Sequence, residues 1–150
     1  MISENEWMTI AENIIRVAEN DIDNEKQGLQ LISGENTNPS YQLTNDNIIY
    51  DLAGTLAEWT DQTVTMAGCP ELAGADEWQE YYDIINYKGM NIAPPYYLND
   101  IDNNIGRIKV GDSNDNLRGF VRGFNGIFSL DLSNNPFVTA TTSIGFRCAK

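Results

Sequence analysis

The 150 residues carry 22 acidic and 9 basic side chains and no histidine, for a formal net charge of −13. That balance argues against a nucleic acid as partner, because its backbone needs Lys and Arg to displace counterions, and the missing histidine removes the commonest general base and metal ligand. The length suits one domain with a real core, and an apolar share of 41% with Trp7, Trp59 and Trp78 far apart argues against disorder.

Along the chain, Ser3-Glu-Asn-Glu6 reads as a capping box. Trp7, Ile10, Ala11, Ile14, Val17 and Ala18 follow at helical spacing, which predicts a helix over Glu4–Asn20. Asp21–Asn47 is rich in Asn, Gly, Gln and Ser and reads as loop. Short strands are expected at Ile48–Ala53 and Leu56–Thr60, separated by Gly54. Trp78, Tyr81, Tyr82 and Ile85, three and four apart, predict a second helix over Ala75–Ile85. Met90–Asn104, with Pro94-Pro95, is read as loop, and Ile105–Val110 as strand. Gly126–Leu132 alternates apolar and polar, the period of a half-buried strand. Ile144–Ala149 is the last expected strand. Helices early, strands late and long loops between make an α+β pattern. No stretch approaches the roughly 20 apolar residues of a membrane span, so no membrane insertion is expected. No basic region followed by an apolar run opens the chain, so no signal peptide is expected.

Few residues carry recognisable chemistry. Cys69 and Cys148 lie in no metal-type spacing; one disulfide is possible on paper, and two reduced, mostly buried thiols are the preferred reading. Asp21–Glu25, Asp100–Gly106 and Asp112–Asn116 have the oxygen-rich look of calcium loops, but each misses a glycine or the closing glutamate, so solvated loop is preferred and no metal is expected. Paired carboxylates for glycoside chemistry are not singled out by any spacing. No serine has a histidine partner or a G-x-S-x-G setting. Gly119, Gly123 and Gly126 fit neither phosphate-loop pattern. No catalytic residue and no cofactor is expected.

The last part of the chain uses a restricted alphabet. Residues 1–109 contain 25 Glu, Gln, Lys, Met and Trp together, whereas Val110–Ala149 contains none. At the upstream rate about nine would fall in that window, and their absence by chance is on the order of 10⁻⁴. One explanation is that strands and turns use little Glu, Gln and Lys.

A second explanation comes from a resemblance. Asp51-Leu-Ala-Gly-Thr-Leu-Ala-Glu-Trp-Thr60, the Arg-Gly pairs at 118–119 and 122–123, and Ile144-Gly-Phe-Arg-Cys-Ala149 resemble, in order and spacing, the formylglycine-generating-enzyme type of C-type lectin fold. Glu6-Trp-Met-Thr-Ile-Ala11 is also similar to that family's helix start. The resemblance implies one C-type lectin-like domain over 1–150, with two helices, short antiparallel strands and long loops. The enzymes carry a reactive cysteine pair before the terminal motif; Arg118–Pro136 holds no cysteine, which implies that the oxidase chemistry is absent. Thr55 replaces the usual Asn, while Glu58 is retained.

A non-catalytic branch of this fold comprises the variable proteins of diversity-generating retroelements, in phages, bacteria and archaeal viruses. There the adenines of mostly AAC codons are randomised. Changing the first two bases of AAC reaches every amino acid except Glu, Gln, Lys, Met and Trp. The resemblance therefore implies a variable region at about 110–143 that binds an unknown protein or cell-surface ligand, on a virion or cell surface. The diversified set would include Phe120, Val121, Phe124, Asn125, Asp131, Ser133, Asn134, Phe137, Val138, Ala140, Thr142 and Ser143. The frame would be Leu130, Leu132, Pro136, Ile144, Phe146 and Arg147. Ordinary core is the alternative for Phe120, Phe124 and Phe137. Ser129, Asp131 and Ser133, two apart, are expected on one strand face. A formylglycine-generating-like enzyme with altered chemistry and a carbohydrate-binding lectin module are the competing functions.

Overall fold

A computed structural model describes residues 1–17, 40–53, 56–74, 76–84, 86–90, 107–112, 116–124, 126–137 and 144–148. Its helix, α1 (Glu4–Ile14), starts as its sequence dictates. The Ser3 hydroxyl accepts from the Glu6 N–H at 3.2 Å, and the Glu6 carboxylate accepts from the Ser3 N–H at 2.8 Å. Trp7, Ala11 and Ile14 face the core from one stripe, and the Trp7 indole donates to the Ile127 carbonyl at 2.7 Å. The helix ends earlier than its periodicity suggests. Arg16 and Val17 bond back three residues, to Asn13 and Ile14, so the last turn tightens among β-branched residues.

Eight strands follow among the described residues. β1 (Ser40–Gln42) and β2 (Ile48–Tyr50) form an antiparallel pair. The other six, β3 (Ala57–Thr65), β4 (Gln79–Glu80), β5 (Arg107–Lys109), β6 (Leu117–Gly123), β7 (Gly126–Asp131) and β8 (Ile144–Phe146), build one sheet in the order β4-β5-β7-β6-β3-β8. Among the described residues the architecture is α+β with one α-helix and a mixed sheet: β3 pairs β8 and β5 pairs β7 in parallel, so the strands are not all antiparallel.

Several expectations are corrected. Gln79–Glu80 is a strand and Tyr81–Asp83 a 3₁₀ turn, so the second helix expected over Ala75–Ile85 is absent from its described residues. Ser40–Gln42 pairs as a strand within what reads as loop. Gly126–Leu130 is buried on both faces rather than one, and only Asp131, at the end of β7, is half-buried. Cys148 is exposed; only Cys69 is buried, and both are free thiols. The calcium-like runs Asp21–Glu25 and Asp100–Gly106, the centre of Asp112–Asn116, and Thr55 lie outside the described residues, as do the end of the expected helix over 18–20 and the loop readings over 21–39 and 91–104. No described helix is long and apolar enough to cross a membrane.

Registered neighbours share a sheet face. One row holds Ile108, Leu130, Arg122 and Glu58, with Phe120 two residues from Arg122 on the same face. Ile108, Leu130 and Phe120 belong to the core with Trp7, Ile14, Leu52, Tyr81 and Phe128. Arg122 is fully buried there. It donates to Glu4, to the Phe128 carbonyl at 2.8 Å and to the Tyr81 hydroxyl at 3.2 Å. The motif pieces from opposite ends of the chain also meet: Arg147 donates to both oxygens of Glu58, at 3.1 and 2.8 Å, and to the Asp51 carbonyl at 2.9 Å. Burial pushes the Glu58 carboxyl up against the opposing pull of Arg147.

Burial likewise raises the Tyr81 phenol to about 12 from 10.0, although Arg122 pulls it down. Its folded value lies above the unfolded one, so its contribution to stability is intact below pH 10.0 and is lost as pH climbs through about 12. In an alkaline titration, Tyr81 ionisation should therefore coincide with loss of the far-ultraviolet circular dichroism signal. The comparison is with Tyr81→Phe, which should lack one late phenolate. A late phenolate that appears while the fold persists would contradict this.

Candidate functional site

The second row across the sheet holds Lys109, Asp131, Val121 and Trp59, on the face opposite Phe120. A cleft of about 220 Å³ opens on this face. Its floor is apolar: Val121, with Ala57 and Ile144 brought together by the parallel pairing of β3 and β8. One wall is aromatic. Phe124, in the turn between β6 and β7, stacks on Trp78 with ring centroids 6.1 Å apart and planes 12° from parallel.

The other wall is polar and internally bonded. Asp131 ends β7, and its Oδ1 accepts from the Ser133 N–H at 2.7 Å and the Ser133 hydroxyl at 2.5 Å. The Asn134 amide donates to Asp131 Oδ2 at 3.2 Å and to Ser133 Oγ at 3.3 Å. This loop is pinned from below. Gly119 N–H donates to the Asn134 carbonyl at 2.9 Å, and buried Arg118 donates to the Ser133 carbonyl at 3.1 Å. Gly111 has φ +76°, and a Cβ there would stand 2.7 Å from that of Ser133. Lys109 lies at the cleft and pairs with Asp76 at 3.0 Å.

The structure thus brings Val121, Phe124, Asp131, Ser133 and Asn134 around one cleft. Phe124 is 38% exposed, whereas Val121, 1% exposed, is floor rather than contact surface. Phe120 is not surface at all: it is fully buried on the opposite face, because strand alternation turns it toward α1 and the core. Phe137 is 83% exposed but does not line the cleft. Ser129 is fully buried, donates to the Gly126 carbonyl and does not line the cleft. Asn125, Val138, Ala140, Thr142 and Ser143 lie outside the described residues. In the expected frame, Leu130 and Leu132 are fully buried, whereas Phe146 is 70% exposed.

Trp78 escapes the sequence reading of the site. It lies upstream of the restricted window, and its three-and-four spacing with Tyr81 and Tyr82 resembles a helix face. A larger recess, about 500 Å³, lies beside α1 and is lined by Ile2, Ile10, Ile49 and Cys148 among others. Arg147 in that recess is committed to Glu58 and Asp51, and none of the expected variable residues that are described lines it. Among the described residues no group of acidic or cysteine side chains is placed to hold a metal ion. Comparison with protein-family models, curated proteins and solved structures finds no match to this chain.

Proposed function

We propose that this chain is a non-enzymatic binding protein, a C-type lectin-like domain of the formylglycine-generating-enzyme type whose C-terminal surface is diversified by a retroelement. The observation that carries the reading is the coincidence of two independent features. The five amino acids that randomised AAC codons cannot specify are missing from Val110–Ala149, and residues of that window converge on one cleft beside Trp78. Binding surfaces built from aromatics among small polar side chains suit this role, since the aromatics give contact area at little entropic cost. Phe124 beside Asp131, Ser133 and Asn134 has that composition.

The division of labour is physical. Glu58 with Arg147, and Arg122 with Glu4, tie the fold together through buried or half-buried side chains. Exposed positions can then change at a cost usually within about 0.5 kcal/mol. The fixed strands beneath them limit the ordering cost of binding a new partner. The variable set that supports this reading best is Phe124, Asp131, Ser133, Asn134 and Phe137, with Phe120 removed to the scaffold.

The test is genetic. The DNA beside the coding sequence is expected to hold a near-copy of the segment for residues 110–143, differing at adenines, next to a reverse transcriptase gene. Independent isolates are expected to differ at codons 124, 131, 133 and 134 while codons 120, 122 and 130 stay fixed. A locus with no second, adenine-marked copy overturns the reading.

A further inference from the structure

We infer that the cleft receives the guanidinium side chain of an arginine on a protein partner; this rests on the reading that the cleft is the binding site. The argument begins with donors and acceptors. Ser133 spends its N–H and its hydroxyl proton on Asp131 Oδ1, and Asn134 spends its amide protons on Asp131 Oδ2 and Ser133 Oγ. A carboxylate offers roughly four lone-pair positions and an amide oxygen two. With three donors on Asp131, the wall retains acceptor capacity on Asp131 Oδ2 and Asn134 Oδ1, and its side-chain donors are used up.

Charge follows the same direction. Among the described residues no cation stands within ion-pairing distance of Asp131, and its registered neighbour Lys109 pairs with Asp76 instead. A half-buried carboxylate thus faces the cleft with only neutral donors. The matching guest is rich in donors, poor in acceptors and positively charged. A guanidinium has five N–H donors and no acceptor. A sugar hydroxyl brings lone pairs that need donors, which the Asp131, Ser133 and Asn134 wall has spent internally, while the Lys109 ammonium at the cleft is engaged by Asp76.

Shape narrows the guest further. A cleft of about 220 Å³ is below the roughly 300–1,000 Å³ of small-molecule sites, and suits one long side chain. The stacked pair of Trp78 and Phe124 lines the cleft, and a planar, weakly hydrated guanidinium stacks on aromatic rings better than an ammonium. Val121 gives its methylenes an apolar floor. A net charge of −13 steers a basic partner toward the chain.

The experiment is a nuclear magnetic resonance titration of the whole chain with N-acetyl-arginine amide, N-acetyl-citrulline amide and methyl glucoside. Citrulline keeps the shape of arginine and loses its charge. The arginine probe is expected to shift the Trp78 indole and the 131–134 amides, with a dissociation constant on the order of millimolar. The citrulline probe is expected to bind at least about tenfold more weakly. Asp131→Asn should abolish the difference between the two, and Phe124→Ala should weaken the arginine probe without touching the hydrogen bonds of the wall. Equal binding of arginine and citrulline, preferential binding of the glucoside at the cleft, or no shift at Trp78 each overturns the arginine assignment. None of these results bears on the adenine-marked repeat, so the partner class and the diversified-surface reading fail separately.

Discussion

Replacing Arg122 with methionine is expected to cost about 3–5 kcal/mol of folding stability. Arg122 is fully buried, and Glu4 beside it is 5% exposed. The pair spans the fold, from the first turn of α1 to β6. Removing the guanidinium leaves the Glu4 carboxylate with the Thr60 hydroxyl, at 2.9 Å, as its remaining side-chain donor. It also withdraws donors from the Phe128 and Ser129 carbonyls and the Tyr81 hydroxyl. Buried ions stripped of a partner cost far more than the pair contributes, because the desolvation was already complete. Glu4→Leu should do comparable damage from the other side. The double variant Glu4→Leu/Arg122→Met removes both charges together and should be less destabilised than the sum of the singles by more than about 1 kcal/mol. Urea unfolding of the four proteins measures this. Strict additivity, or single variants within about 1 kcal/mol of the parent, would show that the pair does not hold α1 to the sheet.

That network also explains why β6 was hard to read from the sequence. Two arginines and two glycines in Leu117–Gly123 resemble a polar turn, since charged residues are seldom fully buried without partners. The partners of Arg122 come from residue 4, the 3₁₀ turn at 81 and the next strand, and no local window contains them. By contrast α1 was legible, because the capping box and the stripe of Trp7, Ala11 and Ile14 are local signals. The middle of the chain misled for a definite reason. Trp78 and Tyr81, spaced like one helix face, serve opposite sides of the sheet: Trp78 stacks on Phe124 at the cleft, and Tyr81 bonds Phe128 in the core. A strand followed by a 3₁₀ turn produces the same three-residue spacing as a helix.

The site was legible in the same partial way. A restricted alphabet marks a stretch of chain and carries no information on burial. Burial in a strand follows period two, so adjacent Phe120 and Val121 divide between the core and the cleft floor. Ser133 and Asn134 could be named without structure, but their loop is set by long-range contacts, from Arg118 and Gly111. The scaffold motifs explain themselves once folded: Glu58 and Arg147, 89 positions apart, close the sheet edge as an ion pair.

Two phenylalanines four residues apart give the decisive comparison between scaffold and surface. Phe120→Ala is expected to lose about 3–5 kcal/mol, the usual cost of emptying a buried aromatic site. For a chain of this size that lowers the melting temperature by on the order of 10 °C. Phe124→Ala removes a ring that is 38% exposed and stacked on one partner, worth about 0.5–1.5 kcal/mol. Its stability should stay within about 1.5 kcal/mol of the parent, while any binding at the cleft weakens. The two substitutions delete the same atoms, one from β6 and one from the turn that follows it, so composition cancels, and what chiefly differs is the burial of each ring. If Phe124→Ala proves as damaging as Phe120→Ala, the aromatic wall is part of the core and cannot be diversified. If Phe120→Ala proves harmless, the sheet face that packs on α1 has been misassigned, and with it the separation of frame from binding surface.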